Sequence, residues 1–101
     1  MDYPNYYYDY TDPISAQKQA FKYLGKKYGK LYPSLKKNKK YMIFDPVIKK
    51  WIHFGQFPYQ DFTYHKDEVR RNSYLKRTAN MKGDWKDNPF SPNNLSRNIL
   101  W

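Results

Sequence analysis

Apolar side chains come in short bursts along this chain, and their spacing changes from one burst to the next. Ile14, Phe21, Leu24 and Tyr28 recur at the 3.6-residue spacing of one helix face, with Lys18, Lys22 and Lys26 along another. Thr11-Asp12-Pro13 sets a capping side chain before a proline suited to the first helical turn, and Gly25 follows the last turn. A helix from Pro13 to Leu24 is therefore predicted. The period then switches. Lys40–Phe44 and Lys50–Phe54 are rich in aromatic and β-branched residues and flank Asp45-Pro46, which is turn chemistry. Alternation places Met42 and Phe44 on one face of this hairpin and Tyr41 and Ile43 on the other. Gly55 and Pro58 end the second strand.

Helical signals return after the hairpin. Thr63 or His65 can start a helix that runs to about Ala79, with Asp67 and Glu68 in its first turn and Lys76 and Arg77 late, as the macrodipole favours. Gly83 stops it, and Ser91-Pro92 opens a last short helix carrying Leu95 and Ile99 before Leu100-Trp101. The predicted class is α+β: a small β-hairpin packed with two or three short helices. A two-stranded ribbon is marginal in water by itself, so one face must meet a helix or a partner.

Two stretches carry no such pattern. Residues 1–12 hold five tyrosines and three aspartates with no aliphatic side chain beyond Met1, and read as an extended N-terminal arm. They contain no basic residue and no apolar run, so no signal peptide is expected there. Lys26 to Lys40 contains seven lysines and no acid, broken by Gly29 and Pro33, and reads as a basic linker. The expected organisation is an arm over 1–12, a helix and lysine-rich linker over 13–38, and a hairpin–helix unit over 39–101.

Composition sharpens this. Leu, Ile, Val and Phe make up under a fifth of 101 residues, and the formal net charge is +10, a balance that works against a self-sufficient core. Twelve tyrosines and three tryptophans work for one, because each buried aromatic removes about 150–250 Å² from water. Their polar tips suit interfaces. The expectation is a thin core completed on a partner surface, with Tyr6, Tyr7, Tyr8 and Trp101 as anchors. The chain has no cysteine, hence no disulfide and no thiolate metal site. Its longest apolar run, Tyr41 to Phe44, is far short of the ~20 residues of a membrane helix.

For chemistry, His53 and His65 lie near Asp61 and Asp67, and a hairpin followed by a helix outlines a small metal-dependent nuclease finger. The helix offers only Asn72 and Asp67 toward such a site, and no phosphate-binding glycine loop or nucleophile arrangement is present. No catalytic residue, metal or cofactor is expected, and both histidines read as structural hydrogen-bonders. The stronger signal is basic. Lys26, Lys27, Lys30, Lys36, Lys37, Lys39 and Lys40 form one cluster, and Arg70, Arg71, Tyr74 and Arg77 form a second. Arg70, Tyr74 and Arg77 share a helix face. Lysines on phosphates and rings under bases are how single-stranded nucleic acids are held, although lysine runs alone do not choose among polyanions.

Lys40-Tyr41-Met42-Ile43-Phe44, Trp51-Ile52-His53-Phe54-Gly55, Tyr59 to Asp67, Arg70-Arg71 with Tyr74 and Arg77, and Trp85 followed by Leu95 to Trp101 together resemble a family of short uncharacterised proteins of large DNA viruses of eukaryotes. The resemblance covers about residues 39–101. It implies a protein made in an infected cell, located in the virion and, during assembly, in the host cytoplasm, and it carries over no residue role. The expected function is a virion structural component, a minor capsid or internal particle protein bridging larger capsid subunits. The rival is a protein that binds viral DNA or RNA during packaging or transcription, and a nuclease-like enzyme is a distant third. No membrane span and no small-molecule substrate are expected.

Overall fold

A computed structural model describes residues 3–101; the first two residues of the expected arm lie outside that range. Helix α1 (Pro13–Leu24) occupies the predicted span, with the Asp12 carboxylate accepting from the Ile14 and Ser15 amides. Its buried stripe differs from the expected one: Pro13, Ala16 and Ala20 face inward, while Ile14 is 65% exposed. Small side chains let the helix sit close to its neighbours, and bulkier Ile14 is left to solvent.

The hairpin forms as β2 (Lys39–Asp45) and β3 (Lys50–Gln56), antiparallel, with Tyr41 opposite Phe54 and Phe44 opposite Trp51. A third strand lies in the stretch expected to be linker: β1 (Tyr32–Pro33) pairs with β2 and sets Tyr32 opposite Met42. Its approach is held by Gln17 on α1, whose amide donates to the Gly29 carbonyl and accepts from the Leu31 N–H. Gly29 lies so close to α1 that a Cβ there would come within 2.6 Å of the Ala20 carbonyl oxygen. Leu31 is thereby buried, and the supposed linker is a packed element.

Beyond the sheet the expected single helix is two. A one-turn helix, α2 (Phe62–His65), is capped by Asp61, and Lys66 turns the chain at φ 54°. Asp67 then caps α3 (Glu68–Ala79). The last helix, α4 (Pro92–Leu95), starts at the Ser91 cap and continues as a wider turn over Ser96–Leu100. Arg97 donates to the Leu75 carbonyl and the Thr78 hydroxyl, tying that segment to the end of α3. The core comprises Tyr41, Ile43 and Phe54 from the inner sheet face, Ala16 and Ala20 from α1, and Leu95, Ile99 and Leu100. The class is α+β, as expected.

The N-terminal segment departs most from expectation. Asn5–Asp9 forms a 3-10 turn, and Tyr7 is buried with its hydroxyl donating to the Lys40 carbonyl at 2.7 Å. Phe57 receives the rings of Tyr6, Tyr7 and Tyr10 at centroid distances of 5.0–5.6 Å. Offset and edge contacts of this kind contribute about 0.5–1.5 kcal/mol each beyond area burial. The tyrosines that lacked an aliphatic core of their own complete the core of the sheet. Tyr7 cannot anchor a partner, and of the proposed trio only Tyr6 and Tyr8 remain exposed.

Candidate nucleic-acid interface

Strand alternation separates two unlike sheet faces. The inner face carries Tyr41, Ile43 and Phe54 into the core. The outer face carries Tyr32, Met42, His53, Phe44 and Trp51, which are cross-strand neighbours by register. The Trp51 ring meets Tyr32 at 5.5 Å and Phe44 at 5.4 Å, both edge-on. Phe44 and Trp51 stay exposed. This is a ring platform open to solvent. The hairpin turn beside it presents Val47, 84% exposed, and Ile48.

Lysines border the platform. Lys30 sits 5.9 Å from the Tyr32 ring, and Lys49 and Lys50 follow the hairpin turn. His53 accepts or donates a 2.7 Å hydrogen bond with Ser34 Oγ, and its pKa is lowered by burial and then by the charges of Lys36 and Lys39. From residue 13 to residue 60 the only acid is Asp45. That carboxylate is buried and spent on the turn, accepting from the Val47 N–H at 2.9 Å. The platform's field is therefore positive, because the lysines around it outnumber the one carboxylate of its strands, Asp45.

The predicted basic residues divide three ways. Lys26, Lys27, Lys30, Lys36 and Lys37 are exposed and Lys39 is half-buried. Lys40 is not available to any partner: its Nζ pairs with Asp61 Oδ2 at 3.0 Å, with both side chains essentially out of solvent. Burial lowers its pKa, and Asp61 opposes that shift. Asp61 also accepts from the Thr63 amide and hydroxyl, Thr63 Oγ1 from the Asp12 N–H, and Thr11 bonds Tyr41. This buried network joins the N-terminal segment, β2 and α2. Lys40 is a structural ion.

The arginine cluster lies elsewhere. Arg70, Tyr74 and Arg77 share the face predicted for them, and with Lys39 and Tyr59 they line a groove of about 790 Å³. Arg71 turns away, donating from Nε to the Trp101 carbonyl at 2.6 Å. Trp101 stacks on Tyr74 with centroids 4.2 Å apart and planes 8° from parallel, so the expected partner anchor is docked on its own helix. His65 packs against Trp101 at 5.1 Å, with the backbone of Asp67 donating to its Nδ1. The two histidines thus sit in unrelated surroundings, and among the described residues no group of three or more His, Asp or Glu side chains is placed to hold a metal. Among those residues no helix is long and apolar enough to cross a membrane.

The platform residues Tyr32 and Trp51 were not singled out from sequence. The signal was the odd-numbered partner of the strand alternation, Trp51 with His53, but the third strand that brings Tyr32 beside it was hidden in a lysine-rich stretch.

The chain is an α+β unit with a ring-and-lysine sheet face open to solvent. Residues 29–78 match the model of a family of unknown function (DUF5754), a span that takes in all three strands, α2 and most of α3. No curated protein and no solved structure matches the chain.

Proposed function

We propose that this protein is a non-enzymatic module that binds single-stranded nucleic acid on the outer face of its sheet. Bases stack on Trp51, Phe44 and Tyr32, and Lys30, Lys36 and Lys49 meet phosphates. The observation that carries this reading is the Tyr32–Trp51–Phe44 platform, with Phe44 and Trp51 exposed, within a stretch whose one acid is buried. Every base has a π-face, so stacking on such rings is sequence-tolerant and contributes about 1–3 kcal/mol per base. A duplex hides those faces and fits the platform less well. In the viral setting that the sequence resemblance implies, the bound strand is viral DNA or RNA.

Titration with oligothymidylate at several salt concentrations tests this. Log K should fall by about 0.7 per log unit of salt for each phosphate contacted. An affinity no greater than that of an unstructured peptide with the same lysine content overturns the reading.

A virion structural role finds a support in the apolar hairpin tip of Val47 and Ile48, because exposed aliphatic side chains suit a protein neighbour better than a phosphate backbone. Two other supports have gone, since Tyr7 and Trp101 are engaged within the chain. Mass spectrometry of purified particles tests the role: fixed stoichiometry supports it, and absence ends it.

A further inference from the structure

We infer that the groove beside α3 is a second and separate site, which takes a nucleoside monophosphate. The groove lies between α3, the end of β3 and the Ser96–Leu100 turn, and neither the platform rings Tyr32, Phe44 and Trp51 nor His53 lines it. Its volume of about 790 Å³ suits one small ligand rather than a polymer.

Its charge is uncompensated. Arg70 and Arg77 project from one face of α3 on either side of Tyr74, and Lys39 enters from β2. Among the described residues the one side-chain carboxylate lining it, Asp61, is paired with Lys40. Among the described residues neither arginine has an ionic partner: Arg70 Nη1 makes a 3.3 Å hydrogen bond to the neutral Gln60 amide, and Arg77 lies over the Tyr74 ring at 5.5 Å. Two guanidinium groups on one stripe of α3, about two turns apart, can between them meet a phosphomonoester, which presents more oxygens than one arginine can use.

The rest of the lining is not that of a bare phosphate site. Tyr59 is 68% exposed at the groove, and Met81 and Leu100 add apolar surface. An exposed ring beside a cation pair matches a ligand that is aromatic at one end and anionic at the other. Gln60 donates from Nε2 to the Asp9 carbonyl and Asn93 from Nδ2 to the Thr78 carbonyl, which leaves each amide a second N–H and a carbonyl lone pair for a base or sugar edge. A nucleoside monophosphate has both ends within one molecule, whereas inorganic phosphate uses only the arginines and a nucleoside only the ring.

The test uses the intact chain and the indole N–H resonances of its tryptophans, with AMP, adenosine and inorganic phosphate as probes. AMP should shift the Trp101 indole and the Tyr59 amide in a saturable way while leaving the Trp51 indole in place. Adenosine and phosphate should each bind at least about tenfold more weakly. Arg70→Gln with Arg77→Gln should weaken AMP by about tenfold or more without moving the thermal midpoint, since both arginines are exposed. Three results each overturn the proposal: no Trp101 shift at millimolar AMP, equal binding of adenosine and AMP, or an unchanged affinity in the double variant. Because Trp51 reports the platform and Trp101 the groove, failure at one site is read separately from failure at the other.

Discussion

Lys40 and Asp61 form an ion pair at 3.0 Å in which neither side chain keeps more than 2% of its exposure. Taking two charges out of water costs several kcal/mol per ion, repaid only when geometry and additional hydrogen bonds are good. Asp61 has those bonds through Thr63. Lys40→Met should destabilise the protein by about 3–5 kcal/mol, because it strands Asp61. Lys40→Met combined with Asp61→Leu should recover a large part of that loss. Denaturant unfolding of both variants checks this, and equal stability of single and double variants would contradict the role given to the pair.

A second expectation concerns alkaline pH. Burial pushes the Tyr7 hydroxyl up to about 12 from an ordinary value of 10, and raises Tyr41 further. A raised folded-state pKa contributes stability that is whole below pH 10 and is lost as the pH climbs toward the folded value. Lys40, lowered by burial, acts with the opposite sign, so the comparison is made between wild type and Tyr7→Phe at each pH. The advantage of wild type over that variant should shrink by about 2 kcal/mol between pH 9 and pH 12. A difference that stays constant over that range would show that Tyr7 ionises equally in both states.

Gly55 offers a backbone test. It holds φ 79°, and a Cβ there would lie 2.9 Å from Lys40 Cβ and 3.1 Å from Leu100 Cδ1. Gly55→Ala combines a left-handed conformation, costing about 1–2 kcal/mol, with contact against a side chain fixed by its ion pair. A thermal midpoint lowered by several degrees is expected; an unchanged midpoint would mean that the strand end relaxes freely.

These positions also show what the sequence could and could not carry. Local signals were legible: Asp12-Pro13 and Gly25 bound α1, and alternation in Tyr41–Phe44 set Tyr41 and Phe44 on opposite faces, of which the structure buries that of Tyr41. Partnerships between distant segments were not. Nothing in Lys26 to Lys40 shows that Gln17 will clasp Gly29 and Leu31, so β1 and its Tyr32 were missed. Lys40 looked like its neighbours in a lysine run until Asp61, twenty-one residues on, was brought to it. Tyr7 looked like an arm residue because its core companions, Tyr41 and Phe57, lie far along the chain. Of the candidate site, the Arg70–Tyr74–Arg77 face was legible from helical spacing alone.

His53 gives the platform a pH dependence. Its pKa is lowered first by burial and then by Lys36 and Lys39, so it is neutral at pH 7 and gains charge only below its ordinary value of 6.5. A bound strand favours the charged form, so affinity for oligothymidylate should rise as pH falls from 7 toward 5. His53→Gln should flatten that rise while leaving affinity at pH 7.5 nearly unchanged. A wild-type affinity that is flat with pH would place His53 outside the interface.

The most direct test of the central claim is the affinity of Phe44→Ala/Trp51→Ala for fluorescein-labelled oligothymidylate at fixed salt. Both side chains are exposed, so the fold should survive, which a thermal melt verifies. With the platform as the binding surface, the double variant should bind at least about tenfold more weakly than wild type, with the salt slope retained because the lysines remain. An affinity equal to wild type would show that the rings bear no bases, and the account of the sheet face would fall.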